Sequence, residues 1–206
     1  MLTILNIKKT YQQKEILKGV SFSAFPGSVI LLKGPNGSGK STLLKIIAGL
    51  IRPSSGVISC SNNDIFTVLV EYQNECVSYL GTKNAIKQDL TVFDYLKFWA
   101  EIDGEEMLIM SALKYFGLDR YIDNFCNELS SGWQQKLALA KLIVANKKIW
   151  LLDEPDTYLD DIGKEALQKL ISVRANEGGI IIIASHNIKH AKNIGVLELL
   201  DFVEDK

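Results

Sequence analysis

Nine consecutive residues, Gly34-Pro35-Asn36-Gly37-Ser38-Gly39-Lys40-Ser41-Thr42, restrict this chain more than any other feature. They satisfy the phosphate-binding pattern G-x-x-x-x-G-K-[ST] from Gly34 to Ser41. The apolar run Val29-Ile30-Leu31-Leu32 precedes them, and an apolar-periodic stretch through Leu43, Leu44, Ile46, Ile47 and Leu50 follows, so the expected context is strand, tight turn, helix. Gly37 and Gly39 let backbone N–H groups converge on phosphates at a helix N-terminus, where the macrodipole favours negative charge. Lys40 reaches the terminal phosphates as a point charge, and Ser41 offers a hydroxyl to Mg2+. The plainer reading is a glycine-rich turn before an ordinary helix. The strand and helix on either side favour a nucleoside triphosphatase.

A chain of 206 residues, 47% apolar and 23% charged, can bury one sizeable core, so a single domain over residues 1–206 is expected. The net charge of -1 leaves no electrostatic footprint for nucleic acid. No apolar run approaches the ~18 residues of a spanning helix, and the start, Met1-Leu2-Thr3-Ile4, has no signal-peptide pattern. A cytosolic protein is the expectation. Cys60, Cys76 and Cys126 lack the paired spacing of a zinc site or disulfide framework and are expected as small buried apolar residues.

Alternation in Thr3–Lys8 and Val20–Phe25 predicts two strands joined through polar residues that include Tyr11. After the turn cluster Arg52-Pro53-Ser54-Ser55-Gly56, Val57–Cys60 and Thr67–Val70 read as further strands, so the N-terminal part is rich in β-structure. From Leu90 to about Asn127, apolar residues at helical spacing (Phe93, Leu96, Trp99, Ala100; Met107, Met110, Leu113, Phe116) predict a helical insert, with a helical subdomain over about 82–127. Helices are expected after Ser131-Gly132, ending near Asn146, and through Leu167, Leu170, Ile171 and Val173, ending at Gly178-Gly179. Ile149–Leu152 and Ile180–Ala184 read as buried strands, the second as the last strand of the sheet. Strands alternating with helices imply an α/β fold with a mostly parallel sheet covered on both faces.

Asp153 and Glu154 end the apolar run Ile149–Leu152, at the strand terminus where open α/β sheets bind ligands. Asp153 suits a Mg2+ ligand and Glu154 the polarisation of an attacking water, because phosphoryl transfer asks for positioning and charge stabilisation. The alternative is an Asp-Glu pair capping the next helix. His186 follows the strand Ile180–Ala184, where a neutral imidazole could donate to a γ-phosphate oxygen; a surface or satisfied core histidine is the plainer alternative. His190 reads as a solvated residue of a following helix.

Leu129-Ser130-Ser131-Gly132-Trp133-Gln134-Gln135, between the helical insert and Asp153, resembles the L-S-G-G-Q signature of ATP-binding cassette (ABC) ATPases. The resemblance covers essentially the whole chain. It implies a P-loop NTPase fold of the ABC nucleotide-binding type, with an N-terminal antiparallel β subdomain and a helical insert, binding ATP and Mg2+. By that resemblance Tyr11 matches the aromatic that stacks on adenine, and Gly34 to Thr42 the Walker A loop, so that Gly34, Pro35, Asn36, Gly37, Ser38, Gly39, Lys40, Ser41 and Thr42 contact nucleotide. Asp153 and Glu154 match the Walker B pair, with Ser41 and Asp153 as metal ligands and Glu154 and His186 as catalytic residues. Asp160 matches the D-loop aspartate. The resemblance further implies a head-to-tail homodimer in which Ser130 and Gly132 of one copy meet the γ-phosphate held by the other. Three positions depart from the pattern. Ser131 replaces a signature glycine, Trp133 the usual glutamine, and Thr82 the glutamine of the Q-loop.

Within the family, Tyr79-Leu80-Gly81 followed by a residue other than glutamine, the short insert, Trp150 before Leu151-Leu152-Asp153-Glu154-Pro155, and Gly178-Gly179 before Ile180 resemble the haem-exporter ATPases of bacterial cytochrome c maturation. That branch implies integral-membrane permease partners of the CcmB-like and CcmC-like kinds, a peripheral position on the cytoplasmic side of the inner membrane, and no direct contact with haem or other cargo. Another small ABC exporter ATPase, or a soluble ABC ATPase not linked to transport, remains the alternative.

Overall fold

The computed structural model describes residues 1–82, 85–103, 106–185 and 194–199. Both histidines, His186 and His190, lie outside the described residues.

The N-terminal alternation produces the hairpin of β1 (Leu2–Tyr11) and β2 (Lys14–Ala24). Both strands run longer than their alternation indicates, because Gln12 and Gln13 take positive φ values of 43° and 72° and close a two-residue turn of the primed kind that suits strand twist. Tyr11 therefore ends β1 rather than lying in a loop. β3 (Val29–Lys33) feeds the phosphate loop and α1 (Lys40–Ile47), as expected. β4 (Ser55–Cys60) and β5 (Asn63–Asp64) complete an antiparallel sheet of order β2-β1-β4-β5.

Thr67–Val70 is not a strand. Its second half enters a short helix, α2 (Leu69–Glu71), which runs into the wider π-helical turn Tyr72–Cys76. Leu69 and Tyr72 stand one helical turn apart and meet the end of α1 together: the Tyr72 hydroxyl donates to Ile47 O at 2.9 Å, and Leu69 lies against Gly49. An extended backbone would send these two side chains to opposite faces at alternate positions and lose one of those contacts. The strand of this region is instead β6 (Val77–Leu80).

The helical insert holds α3 (Val92–Asp103) and α4 (Ile109–Phe116), both packed on α5 (Ser131–Ala145), which ends at a left-handed Asn146. β7 (Ile149–Asp153), α6 (Asp161–Asn176) and β8 (Ile180–Ala184) follow at the expected places. β8 is not the last strand, since β9 (Ile194–Glu198) pairs with the far side of β3. The central sheet is fully parallel, in order β6-β7-β8-β3-β9.

Alternation along these buried strands separates two cores. Trp150, Leu152, Ile181, Ile183, Val29 and Leu31 face the helical side with α3 to α6. Ile149, Leu151, Ile180, Ile182, Ile30 and Leu32 face α1 and the antiparallel sheet. Each fully buried isoleucine contributes about 1.5–3 kcal/mol, so both faces hold the sheet rigidly under the loops at its carboxyl edge. Of the cysteines, only Cys126 is fully buried; Cys60 and Cys76 are partly buried against the second core, a correction to the expectation of three buried thiols.

Candidate functional site

The carboxyl ends of β3, β6 and β7 open on one cavity of about 370 Å3. Asn36, Gly37, Gly39, Lys40, Ser41 and Thr42 line it from the phosphate loop, Tyr11 and Ile16 from the hairpin, and Thr82, Asp153 and Glu154 from the sheet edge. Gly37 and Gly39 adopt φ of 89° and 92°, which only glycine takes without strain, and the loop backbone thereby curls over the start of α1. Lys40 is buried, and its ammonium donates to Gly34 O at 2.7 Å and Pro35 O at 2.9 Å, folded back under the loop. Gly34, Pro35 and Ser38 support the loop without lining the cavity, and Ser38 is buried.

Asp153 is 3% exposed and lines the cavity with Ser41. Burial pushes its carboxyl above the ordinary range, against the pull of the Ser41 hydroxyl, the Lys45 and Lys40 charges and the Tyr79 hydroxyl. Burial and the neighbouring carboxylate push the Tyr79 hydroxyl up to about 12, so it remains a donor at neutral pH. Among the described residues there is no cluster of three or more His, Cys, Asp or Glu that could hold a metal. A cation here would have one carboxylate and one hydroxyl from the chain and take its other ligands from water and phosphate oxygens. That donor set fits Mg2+, which keeps part of its water shell.

Glu154 follows β7 with φ of 50°. The turn that carries it is bolted on three sides: Glu154 N donates to Ala184 O at 2.7 Å, Gln135 Nε2 on α5 donates to Pro155 O at 2.7 Å, and Ser185 Oγ donates to the buried Asp156 carboxylate at 2.8 Å. The capping alternative for Asp153-Glu154 is wrong, because α6 begins only at Asp161 and its cap is Asp160, whose Oδ1 accepts from Gly163 N at 2.8 Å. That bond, with help from Lys136, holds the Asp160 carboxyl below its usual range. The sequence pattern did not single out Gln135, Asp156 or Ser185, whose roles depend on strands and helices meeting.

Ser130, Gly132 and Asp160 do not line the cavity. Ser130 precedes α5, is exposed, and makes no side-chain bond to cap its own helix. Lys136, one turn inside α5, pairs with Asp160 at 3.0 Å, and a Cβ on Gly132 would stand 2.9 Å from Tyr158 O. The signature segment and the Tyr158–Asp160 loop therefore form one packed unit away from the chain's own phosphate loop. Trp133 packs against Tyr121 at a tilted 58° between the rings, with Arg120 and Lys136 over its ring.

Lys40→Ala should weaken ATP binding about tenfold to a hundredfold, the range expected for losing a hydrogen-bonding charge. Equilibrium binding with the hydrolysis-deficient nucleotide analogue AMP-PNP measures it. An unchanged affinity would show that the ammonium, folded onto Gly34 and Pro35, does not reach the phosphates.

Comparison with known proteins agrees with this geometry. The ABC transporter family model matches residues 17–157. The chain is 40% identical to the cytochrome c biogenesis ATP-binding export protein CcmA of Rickettsia typhi, over 91% of this chain and 93% of that protein. It is also 40% identical to CcmA of Wolbachia pipientis, over 91% of this chain and 90% of the relative. Its fold superposes on a dimeric post-hydrolysis structure of the ATP-binding cassette MJ0796 bound to ADP and Pi, with a TM-score of 0.85 at 25% identity, covering 97% and 94% of the two chains. The chain is an ABC-type ATPase, and it belongs to the ABC transporter ATP-binding family, in the group of the CcmA proteins.

Proposed function

We propose that this chain is the ATP-hydrolysing subunit of the haem exporter of cytochrome c maturation, working as a homodimer on permease subunits of the CcmB-like and CcmC-like kinds at the cytoplasmic face of the inner membrane. The observation that carries the catalytic part is the cavity that joins Tyr11, Lys40, Ser41, Asp153 and Glu154 at one sheet edge. The similarity to CcmA proteins supports the cargo and the partners. Among the described residues, no helix is long and apolar enough to cross a membrane, so energy from this site has to reach any permease through a contact surface.

In this reading Tyr11 stacks on adenine, and the loop residues Gly34 to Thr42 bind the phosphates, with Lys40 on the terminal ones. Ser41 and Asp153 would hold Mg2+, which when bound neutralises charge on the phosphates. Glu154 accepts a hydrogen bond from the attacking water and orients it. His186, outside the described residues, would donate to the γ-phosphate. Ser130 and Gly132 would meet the nucleotide of the second copy, and Asp160 would stand at the same interface. The outward position of Ser130 and the Lys136–Asp160 pair support this arrangement. Residues 1–206 are read as one ABC domain with a helical subdomain at about 82–127.

The proposed docking surface is a groove of about 290 Å3 between the core and the insert. Leu50, Gln73, Tyr79, Trp99, Ile102 and Lys141 are among its lining residues. Leu50 and Ile102 are more than half exposed there. From α3, Trp99 lines the groove, whereas Tyr95 is 3% exposed and belongs to the insert's own core. Co-expression with a CcmB-like permease subunit should give a complex that survives detergent extraction, and Ile102→Glu should abolish it without lowering the basal ATPase rate. An Ile102→Glu complex of undiminished yield would overturn this docking surface.

A further inference from the structure

The hydrogen bonds that hold the Glu154 turn come from two different parts of the fold. The residue before a proline prefers extended backbone, yet Glu154 sits before Pro155 with φ of 50°. A non-glycine residue persists in that region only where its surroundings hold it. Two of the holding bonds start from the end of β8 in the central sheet: Glu154 N donates to Ala184 O, and Ser185 Oγ donates to Asp156. The third comes from α5, where Gln135, 4% exposed, donates through Nε2 to Pro155 O at 2.7 Å. α5 packs against α3 and α4 of the insert, starts beside Ser130 and Gly132, and presents Lys141 to the groove. Of the three bonds, that of Gln135 alone joins the turn to the insert's side of the molecule.

We propose that Gln135 is a positioning residue for Glu154, through which α5 sets the carboxylate that orients the attacking water. The ring of Pro155 fixes its φ, so a shift of its carbonyl passes back to Glu154 with one torsion fewer to absorb it. Small shifts matter at this point, because a misplacement of about 1 Å costs on the order of a hundredfold in rate. Gln135 does not line the nucleotide cavity, so its effect falls on turnover and not on binding. The inference rests on the reading of Glu154 as the residue that orients the water.

The test is a double-mutant cycle on the whole chain, read by hydrolysis of radiolabelled ATP at saturation and by equilibrium binding of AMP-PNP. Gln135→Met keeps the length of the side chain and removes the donor. It should lower kcat about tenfold, the scale of one buried hydrogen bond left unmade, with AMP-PNP affinity at the parent value. In the Glu154→Gln background the same substitution should change the residual rate by less than about twofold, because a residue that acts through a carboxylate has no effect once that carboxylate is gone. Gln135→Ala gives the same pair of ratios if the Met variant does not fold. If Glu154→Gln is slow while Gln135→Met turns over like the parent, the role of Gln135 is refuted and that of Glu154 stands. An equal loss in both backgrounds, the pattern of a general loss of folded protein, also refutes it. If Glu154→Gln turns over like the parent, the reading of Glu154 falls, and the inference with it.

Discussion

Replacing Glu154 by Gln should lower ATP turnover by a factor of about a hundred or more while leaving ATP affinity at the parent value. Gln has the same size, so the turn held by Ala184 O, Gln135 and the Asp156–Ser185 pair keeps its shape. What changes is the carboxylate. A neutral amide is a poorer acceptor for the proton of an attacking water, and it stabilises less of the positive charge that develops on that water as it bonds to the γ-phosphorus. In the proposed site nucleotide binding uses Lys40 and the loop amides, which the substitution does not touch. Because ATP then stays bound, the variant should also accumulate as a dimer on size-exclusion chromatography with ATP, where the parent returns to monomer after hydrolysis. Single-turnover and steady-state rates with a phosphate-release assay measure the loss. Turnover at the parent rate would show that Glu154 does not orient the water, whatever its place beside Asp153.

Deleting the gene should abolish covalent haem on c-type cytochromes and spare b-type cytochromes, which hold haem without thioether bonds. The expected effect is complete loss, because no c-type cytochrome matures if haem delivery across the membrane stops. Haem-stained gels and reduced-minus-oxidised spectra read both classes in the same membranes. Parent chain should restore the c-type signal, and the Glu154→Gln variant, folded but unable to turn over, should not. Normal c-type cytochromes in the deletion strain would remove the haem assignment and leave the ATPase assignment intact. Rescue by Glu154→Gln would instead show that the exporter needs the subunit's presence and not its hydrolysis.

The phosphate loop, the strand ending in Asp153-Glu154, the signature segment before α5 and the apolar strand Ile180–Ala184 were all legible in the linear sequence. Each is encoded within a few adjacent residues: glycines where φ must be positive, an apolar run long enough for one buried strand, an Asn that closes a helix in the left-handed region. Pairing partners far along the chain leave no such local mark. Thr67–Val70 carries the β-branched residues of a strand, yet contact with the end of α1 makes its second half helical and moves the strand to Val77–Leu80. β9 went unread because its five residues are defined by the exposed edge of β3. Tyr11 enters the cavity because Gln12 and Gln13, which carry no hairpin signal, accept positive φ between two strands already paired. Local sequence determined which residues are proposed to carry the phosphate chemistry, and tertiary packing decided which side chains hold them in place, because a hydrogen bond between distant segments, such as Gln135 to Pro155 O or Ser185 to Asp156, depends on the whole sheet's burial and not on the residues flanking either end.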